Sequence, residues 1–121
     1  MKVPILKQAD YLVVSIPSLG SGSDLAQLRK DISLDVARNR PKGVIFDVTE
    51  LDVMDAFSTR TVRELAQVFR LRGVETMVAG IHPDVALGMA QVGLELDDIP
   101  TALDVDEGIA LLRQFTLQSA K

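Results

Sequence analysis

GVIFDVTELDVMDAFSTRT, residues 43–61, is the most informative segment of the sequence. Its first part, Val44-Ile45-Phe46, is apolar without polar alternation, which is typical of a strand buried on both faces of a sheet. Acidic and turn-forming residues follow, and apolar residues then recur at Val62, Leu65 and Phe69 with the three- and four-residue spacing of a helix. A strand buried on both faces needs covers on both sides, so the segment predicts an α/β domain.

The loop between this strand and this helix carries the candidate site. Asp55 is a good N-cap, because its carboxylate can accept a hydrogen bond from the free amide of Ser58 three residues on. Ser58 then lies in the first helical turn, with its hydroxyl near the mouth of the loop. One interpretation is purely structural, since a serine in a first turn can satisfy a backbone donor. The other is that Ser58 accepts a phosphate, a charge of roughly −1.5 to −2 that free amides at a helix N-terminus can hold.

The remaining chain alternates strands and helices in the order ββαβαβαβα. The first two strands are joined by a short connection, which favours an antiparallel hairpin, and later strands are joined by helices, which favours parallel pairing. Strands are expected at residues 3–7, 11–16, 44–48, 75–81 and 101–103. Helices are expected after caps at Ser23 or Asp24, Asp55 and Asp104, and another helix is expected with Pro83 in its first position. Four helices therefore surround a mostly parallel sheet.

Apolar spacing predicts which helix faces are buried. In the first helix, Leu28, Ile32 and Val36 fall on one side together with Leu25. Leu34 lies off that stripe, which indicates a side chain available to a partner. In the third helix the buried face is either Val85, Met89 and Val92 or the pair Ala86 and Ala90.

Composition excludes several classes of protein. A chain of 121 residues has the usual size of one domain, so residues 1–121 are expected to form a single domain. Cysteine is absent, which excludes disulfides, thiolate zinc sites and cysteine nucleophiles. The net charge of −4 makes nucleic acid a poor partner. The N-terminus resembles neither a signal peptide nor a spanning helix, so no membrane association and a cytoplasmic location are expected.

Catalytic and metal sites are also disfavoured. The single histidine, His82, is expected in a loop before a helix N-terminus, and one histidine cannot build a histidine metal cluster. Asp47 has the position of the phosphoacceptor aspartate in response-regulator receiver domains. The chain lacks the acidic pair after the first strand and the lysine after the last strand that receivers require. The glycine-rich SLGSGS segment, residues 18–23, lacks the lysine ending of a phosphate loop. No enzyme activity, cofactor or metal is expected.

Several segments together resemble the STAS domain family, in the anti-sigma factor antagonist class that includes stressosome proteins. They are VPILK, LVVSI, the central GVIFDVTELDVMDAFSTR, GIHPDVA and TALDVDEGIALL, in the order of the family and over nearly the whole chain. The resemblance implies a STAS fold: an α/β domain with a mostly parallel sheet, an antiparallel N-terminal edge hairpin and about four helices.

The resemblance also implies a function and partners. Such proteins are scaffolds without enzymatic activity, which sequester an RsbT-type serine/threonine kinase, assemble with RsbR-type STAS paralogues into a large stressosome and are reset by an RsbX-type phosphatase. The kinase phosphorylates its captor under stress and is released. Self-association through STAS domains is implied as well.

The acceptor is assigned from the position of the aspartate. Related antagonists in the family carry the acceptor serine in a D-S-S-G motif after the central strand, where this chain has Asp55-Ala56-Phe57-Ser58. Ser58 is the first hydroxyl after the aspartate and is the predicted acceptor. Thr59 is the reserve, and Thr59 or Thr61 would be exposed if the helix began later. The predicted partner surface comprises four residues near the acceptor: Asp52, Asp55, Ala56 and Arg60.

Two hypotheses therefore stand. In the first, the protein is a phosphoswitch regulated at Ser58. In the second, Ser58 is only a cap, and the domain is a constitutive structural subunit or a small-ligand STAS module using the SLGSGS loop. An exposed Ser58 hydroxyl favours the first hypothesis, and a buried, fully bonded hydroxyl favours the second.

Overall fold

The computed structural model describes residues 5–16, 22–51, 54–96 and 99–119. In chain order the elements are β1 (Ile5–Gln8), β2 (Tyr11–Ser15), α1 (Gly22–Asn39), β3 (Gly43–Asp47), α2 (Ala56–Leu71), β4 (Glu75–Ala79), α3 (Pro83–Gln91), β5 (Thr101–Ala102) and α4 (Val105–Ser119). The order ββαβαβαβα is the one that the sequence predicts.

The strands form one five-stranded sheet in the order β1-β2-β3-β4-β5. β1 pairs with β2 antiparallel, and the other neighbours are parallel. Each parallel strand follows its neighbour through a helix, because parallel strands need a crossover connection, whereas β1 and β2 are joined by a two-residue turn. β3 is the central strand, and its Val44, Ile45 and Phe46 are fully buried, as their apolar run predicts.

The two faces of the sheet are covered unequally. The apolar stripes of α1, α2 and α3 form one core cluster with Val44, Phe46 and Val78. A smaller cluster on the other face joins Ile45 and Met77 to Ile109 and Leu112 of α4. Burying one side chain of the size of Phe46 contributes roughly 1.5–3 kcal/mol. The larger cluster, which α2 completes, therefore fixes the helix that carries Ser58.

The predicted helix faces are largely confirmed. Leu28, Ile32 and Val36 are buried, and Leu34 is 53% exposed. In α3, Val85 and Met89 are buried, but Val92, which one of the two expectations included, is 70% exposed and follows the helix as its C-cap. Val92 is exposed because the helix ends before it can turn that side chain toward the sheet.

Some predicted boundaries are wrong by one or two residues. α1 begins at Gly22, ahead of the expected caps at Ser23 or Asp24. β4 ends at Ala79 and not at residue 81, because Gly80 has a φ of 84°, which breaks the extended backbone. β1 begins at Ile5, and residues 1–4 lie outside the described part of the chain.

Candidate functional site

The N-terminus of α2 has the cap that the sequence predicts. Asp55 has extended backbone angles, φ −83° and ψ 179°, and its carboxylate Oδ1 accepts from the Ser58 amide at 2.8 Å. The Thr59 amide donates to the Asp55 carbonyl at 3.0 Å, which closes the first intrahelical hydrogen bond. A cap of this kind contributes about 1 kcal/mol to stability. The cap fixes both the start of the helix and the position of Ser58 within its first turn.

Asp55 also engages the Ser58 side chain. The pKa of the Asp55 carboxyl is lowered from its ordinary value of 3.8, first by the Ser58 backbone N–H and then by the Ser58 hydroxyl. Both groups donate to the carboxylate, and donors stabilise its charged form. The Ser58 hydroxyl therefore faces the cap.

The free energy of unfolding of the Asp55→Asn variant should depend less on pH than that of the wild type. Because the folded pKa is depressed, the carboxylate contributes stability above about pH 3.8, and that stability is lost as the pH falls through the lower folded pKa. Asparagine caps equally well, so both proteins should have similar stability near neutral pH. Urea unfolding at successive pH values should show a steeper acid loss in the wild type, by at most about 1 kcal/mol because Asp55 is exposed. Equal acid losses would contradict the prediction.

Ser58 itself is buried, with 9% of its surface exposed. It lies over an apolar part of the core, where its neighbours include Leu28, Phe46 and Leu65. Its hydroxyl is bonded to Asp55, so in this conformation Ser58 is both buried and bonded. This is the arrangement that favours the constitutive-subunit hypothesis.

The two threonines that follow are less accessible than Ser58. Thr59 is 0% exposed, and Thr61 is 5% exposed with its hydroxyl donating to the Phe57 carbonyl at 2.9 Å. The later helix start that would expose one of them does not occur, because the Asp55 cap starts the helix at Ala56 and both side chains are buried. Thr59 therefore does not offer an accessible alternative acceptor.

The Thr59→Val variant should be more stable than the wild type by about 1 kcal/mol. The Thr59 hydroxyl is buried and has no hydrogen-bond partner among the described residues, and valine has nearly the same shape without that polar group. Thr61→Val is the matched control, because it removes a hydroxyl that is bonded and should not stabilise. Chemical unfolding of the three proteins measures both effects. A Thr59→Val protein less stable than the wild type would show that its hydroxyl has a partner in solution.

The surface beside Ser58 contains an aromatic residue that the sequence analysis missed. Asp55, Ala56 and Arg60 are exposed as expected of a partner surface, and Asp52 lies outside the described residues. Phe57, between them, is 51% exposed, whereas Phe46 and Phe69 are almost completely buried. The available signal was its spacing, because Phe57 does not fall on the buried stripe of α2. Aromatic side chains, including phenylalanine, are enriched in protein interfaces relative to the rest of the surface.

The strand ends beside this loop form a polar network. The Asp47 carboxylate accepts from the Thr49 amide at 3.1 Å and from the Thr49 hydroxyl, and His82 Nε2 contacts the Thr49 carbonyl at 2.5 Å. A carbonyl only accepts, so Nε2 carries the proton in this contact. His82 precedes α3 as expected, and it ties the β4–α3 loop to the loop after β3. Asp47 is likewise engaged by Thr49.

This geometry defines a class of protein. A family model for the STAS domain matches residues 3–108, and the chain belongs to the STAS domain family. Within the family, the chain is similar to Moorella thermoacetica RsbS S58E, with 31% identity and a TM-score of 0.82 over 95% of this chain and 97% of that one. It is also similar to a chain of the stressosome, described as a signal integration and transduction hub, with 30% identity and a TM-score of 0.76 over 93% and 97% of the two chains.

A curated relative supports the same assignment. The RsbT co-antagonist protein RsbRA of Bacillus subtilis (strain 168) is 26% identical over 81 residues, which are 67% of this chain and 30% of RsbRA. The chain thus spans less than a third of the length of that relative. The resemblance to stressosome STAS proteins is confirmed, and the protein is an RsbS-like STAS protein with the fold of anti-sigma factor antagonists.

Within residues 5–16, 22–51, 54–96 and 99–119, no group of three or more histidine, aspartate or glutamate side chains could hold a metal ion. No helix in that part of the chain combines the length and apolar character that crossing a membrane requires. The SLGSGS segment lies mostly outside the described residues.

Proposed function

We propose that the protein is a non-enzymatic stressosome scaffold that sequesters an RsbT-type serine/threonine kinase and releases it when Ser58 is phosphorylated. The observation that carries the proposal is the position of Ser58 in the first turn of α2, immediately after the central strand and beside the exposed Phe57. The structure of the Moorella RsbS with S58E gives independent support, since glutamate supplies a carboxylate in place of a serine hydroxyl.

Phosphorylation would require a local opening of the helix. The Ser58 hydroxyl must leave the Asp55 carboxylate, which costs about 1 kcal/mol for one hydrogen bond. First turns of helices are the part most ready to open, because their amides have few intrahelical partners. The kinase would therefore act on a minor conformation that the folded protein already visits.

The phosphate would then be held outside the core. A phosphoserine cannot return to its place beside Asp55, because the two anions repel each other and Ser58 has little room. The exposed Arg60 guanidinium is available to a phosphate directed outward. A kinase packed over Phe57 would meet this dianion, and its dissociation constant would rise.

The proposed setting follows from the relatives. RsbR-type STAS paralogues would share the assembly, an RsbX-type phosphatase would remove the phosphate, and residues 1–121 would act as a single STAS domain in the cytoplasm. Self-association through STAS domains belongs to the same proposal. The output would be control of a general stress response by the released kinase.

The second candidate is a constitutive structural subunit, and the burial of Ser58 favours it. With 9% of its surface exposed and its hydroxyl on Asp55, Ser58 acts as part of a helix cap. In this case regulation would reside in the partners. A small-ligand STAS module that uses the SLGSGS loop belongs to the same alternative.

Phosphopeptide mapping by mass spectrometry distinguishes the two candidates. The purified protein is incubated with an RsbT-type kinase and ATP, and fragment ions separate Ser58, Thr59 and Thr61. The phosphoswitch requires phosphate on Ser58 in the wild type and in Thr59→Val, its absence in Ser58→Ala, and loss of kinase binding with modification. An active kinase that leaves the wild type unmodified would support the constitutive subunit.

A further inference from the structure

Charge is divided unevenly along the chain. Residues 73–112 contain no lysine or arginine and eight aspartate or glutamate residues. This stretch builds β4, α3, β5 and the first half of α4, which together form one edge of the sheet. Surfaces at that edge therefore favour a partner that supplies positive charge.

A groove lies at this edge between α3 and β5. Its volume is about 580 Å³, and its walls include Met89, Ala90, Leu94 and Leu103. Leu103 is 81% exposed, so apolar surface continues from the groove onto its rim. Glu95 is the one charged side chain among the lining residues. The groove is thus apolar inside with a carboxylate at its margin.

The C-terminal end of α2 is also apolar, but its charged residues are cationic. Leu71 is 89% exposed, the largest exposed fraction among the described large hydrophobic residues, and Val68 one turn earlier is 47% exposed. Arg70 and Arg72 flank Leu71 in the sequence, and both are exposed. An apolar side chain with a cationic surround is the complement of the groove described above.

We infer that Leu71 of one copy of the chain docks in the α3–β5 groove of a second copy. The apolar side chains would be removed from water together, and Arg72 would approach Glu95. The two surfaces are different parts of the chain, so the contact is heterologous and can build a ring or an open chain of subunits. The occupant of the groove is therefore the end of α2 of another molecule.

This contact is separate from the candidate phosphorylation site; it rests on the self-association that the proposed function includes, and not on phosphorylation of Ser58. Ser58 and Leu71 lie near opposite ends of α2, about 20 Å apart at 1.5 Å per residue. A subunit held through Leu71 would keep its Ser58 surface open to another partner.

The test uses the full chain in sedimentation equilibrium with two complementary variants. Leu71→Asp removes the docking side chain, and Ala90→Arg places a bulky cation on the exposed α3 wall of the groove. Each variant alone should self-associate at least about tenfold more weakly than the wild type. Mixed together, they should form a discrete 1:1 dimer, because one intact Leu71 and one intact groove remain.

Two controls accompany the mixture. Leu34→Asp introduces the same charge at another half-exposed leucine and should leave wild-type association unchanged. Added salt should weaken wild-type association, because it screens the attraction between Arg72 of one copy and Glu95 of the other. Circular dichroism confirms that each variant is folded.

Three outcomes would overturn the inference. One is a wild type that stays monomeric up to about 1 mM, even if it binds an RsbR-type paralogue through the same groove. Another is single variants that associate as strongly as the wild type. The third is folded variants that associate neither alone nor in the 1:1 mixture.

Discussion

The Ser58→Asp variant should bind an RsbT-type kinase at least about tenfold more weakly than the wild type, because a like charge in a contact surface costs more than 1.4 kcal/mol. The added carboxylate would stand beside Asp55 and Phe57, where the proposed partner must exclude water. Ser58→Ala should bind within about twofold of the wild type, since it adds no charge and removes one small hydroxyl. Calorimetric titration of the kinase measures both constants.

The control for this experiment is a charge placed elsewhere on the same helix. Gln67 is exposed on α2, well beyond the first turn, so Gln67→Asp changes the net charge equally without touching the Ser58 surface. It should bind like the wild type. Comparable weakening by both aspartate variants would mean that net charge, and not the position of Ser58, governs binding. Unchanged binding by Ser58→Asp would count against the phosphoswitch.

The Gly80→Ala variant should be destabilised by about 3 kcal/mol, from a left-handed backbone that alanine disfavours and from a steric collision. Gly80 has a φ of 84°, and a Cβ there would collide with the Thr49 hydroxyl and lie 3.3 Å from Asp47 Oδ1. The chain would have to move the polar network that joins Asp47, Thr49 and His82. Urea unfolding gives the change in the free energy of unfolding.

Gly73→Ala separates the two causes. Gly73 has a similar φ of 78°, but an added Cβ would meet nothing within 4 Å. It should cost only the backbone term, about 1 kcal/mol. If Gly80→Ala proves no more costly than Gly73→Ala, the approach of Thr49 does not restrict this position. Combining Gly80→Ala with Thr49→Ala should recover part of the loss.

Much of the fold could be predicted because its signals are local. An apolar run identified β3, and helical spacing identified the buried faces of Leu28, Ile32 and Val36. The Asp55 cap was predicted because an N-cap and the amide it accepts lie within three residues. Connection lengths predicted the antiparallel hairpin and the parallel pairing of the later strands, and the family resemblance implied the same kind of sheet.

The remaining features depend on contacts between distant residues. The Ser58 hydroxyl was expected near the mouth of the loop, yet it turns back to Asp55, because sequence spacing does not specify a side-chain rotamer. The apolar pattern of β4 continues through Ile81, but the backbone bends at Gly80 to accommodate Thr49 from the neighbouring loop. Phe57 was overlooked although its position off the buried stripe of α2 indicated that its side chain would be exposed.

The burial of the Ser58 hydroxyl would also affect how quickly the protein is phosphorylated after a stress begins. If a kinase modifies only molecules whose first α2 turn has opened, the modification rate is limited by the open fraction as well as by the kinase. Each 1.4 kcal/mol added to the Asp55 cap would reduce that fraction about tenfold. Substitutions confined to the cap could therefore set how long a stress must last before the signal passes, with the kinase itself unchanged.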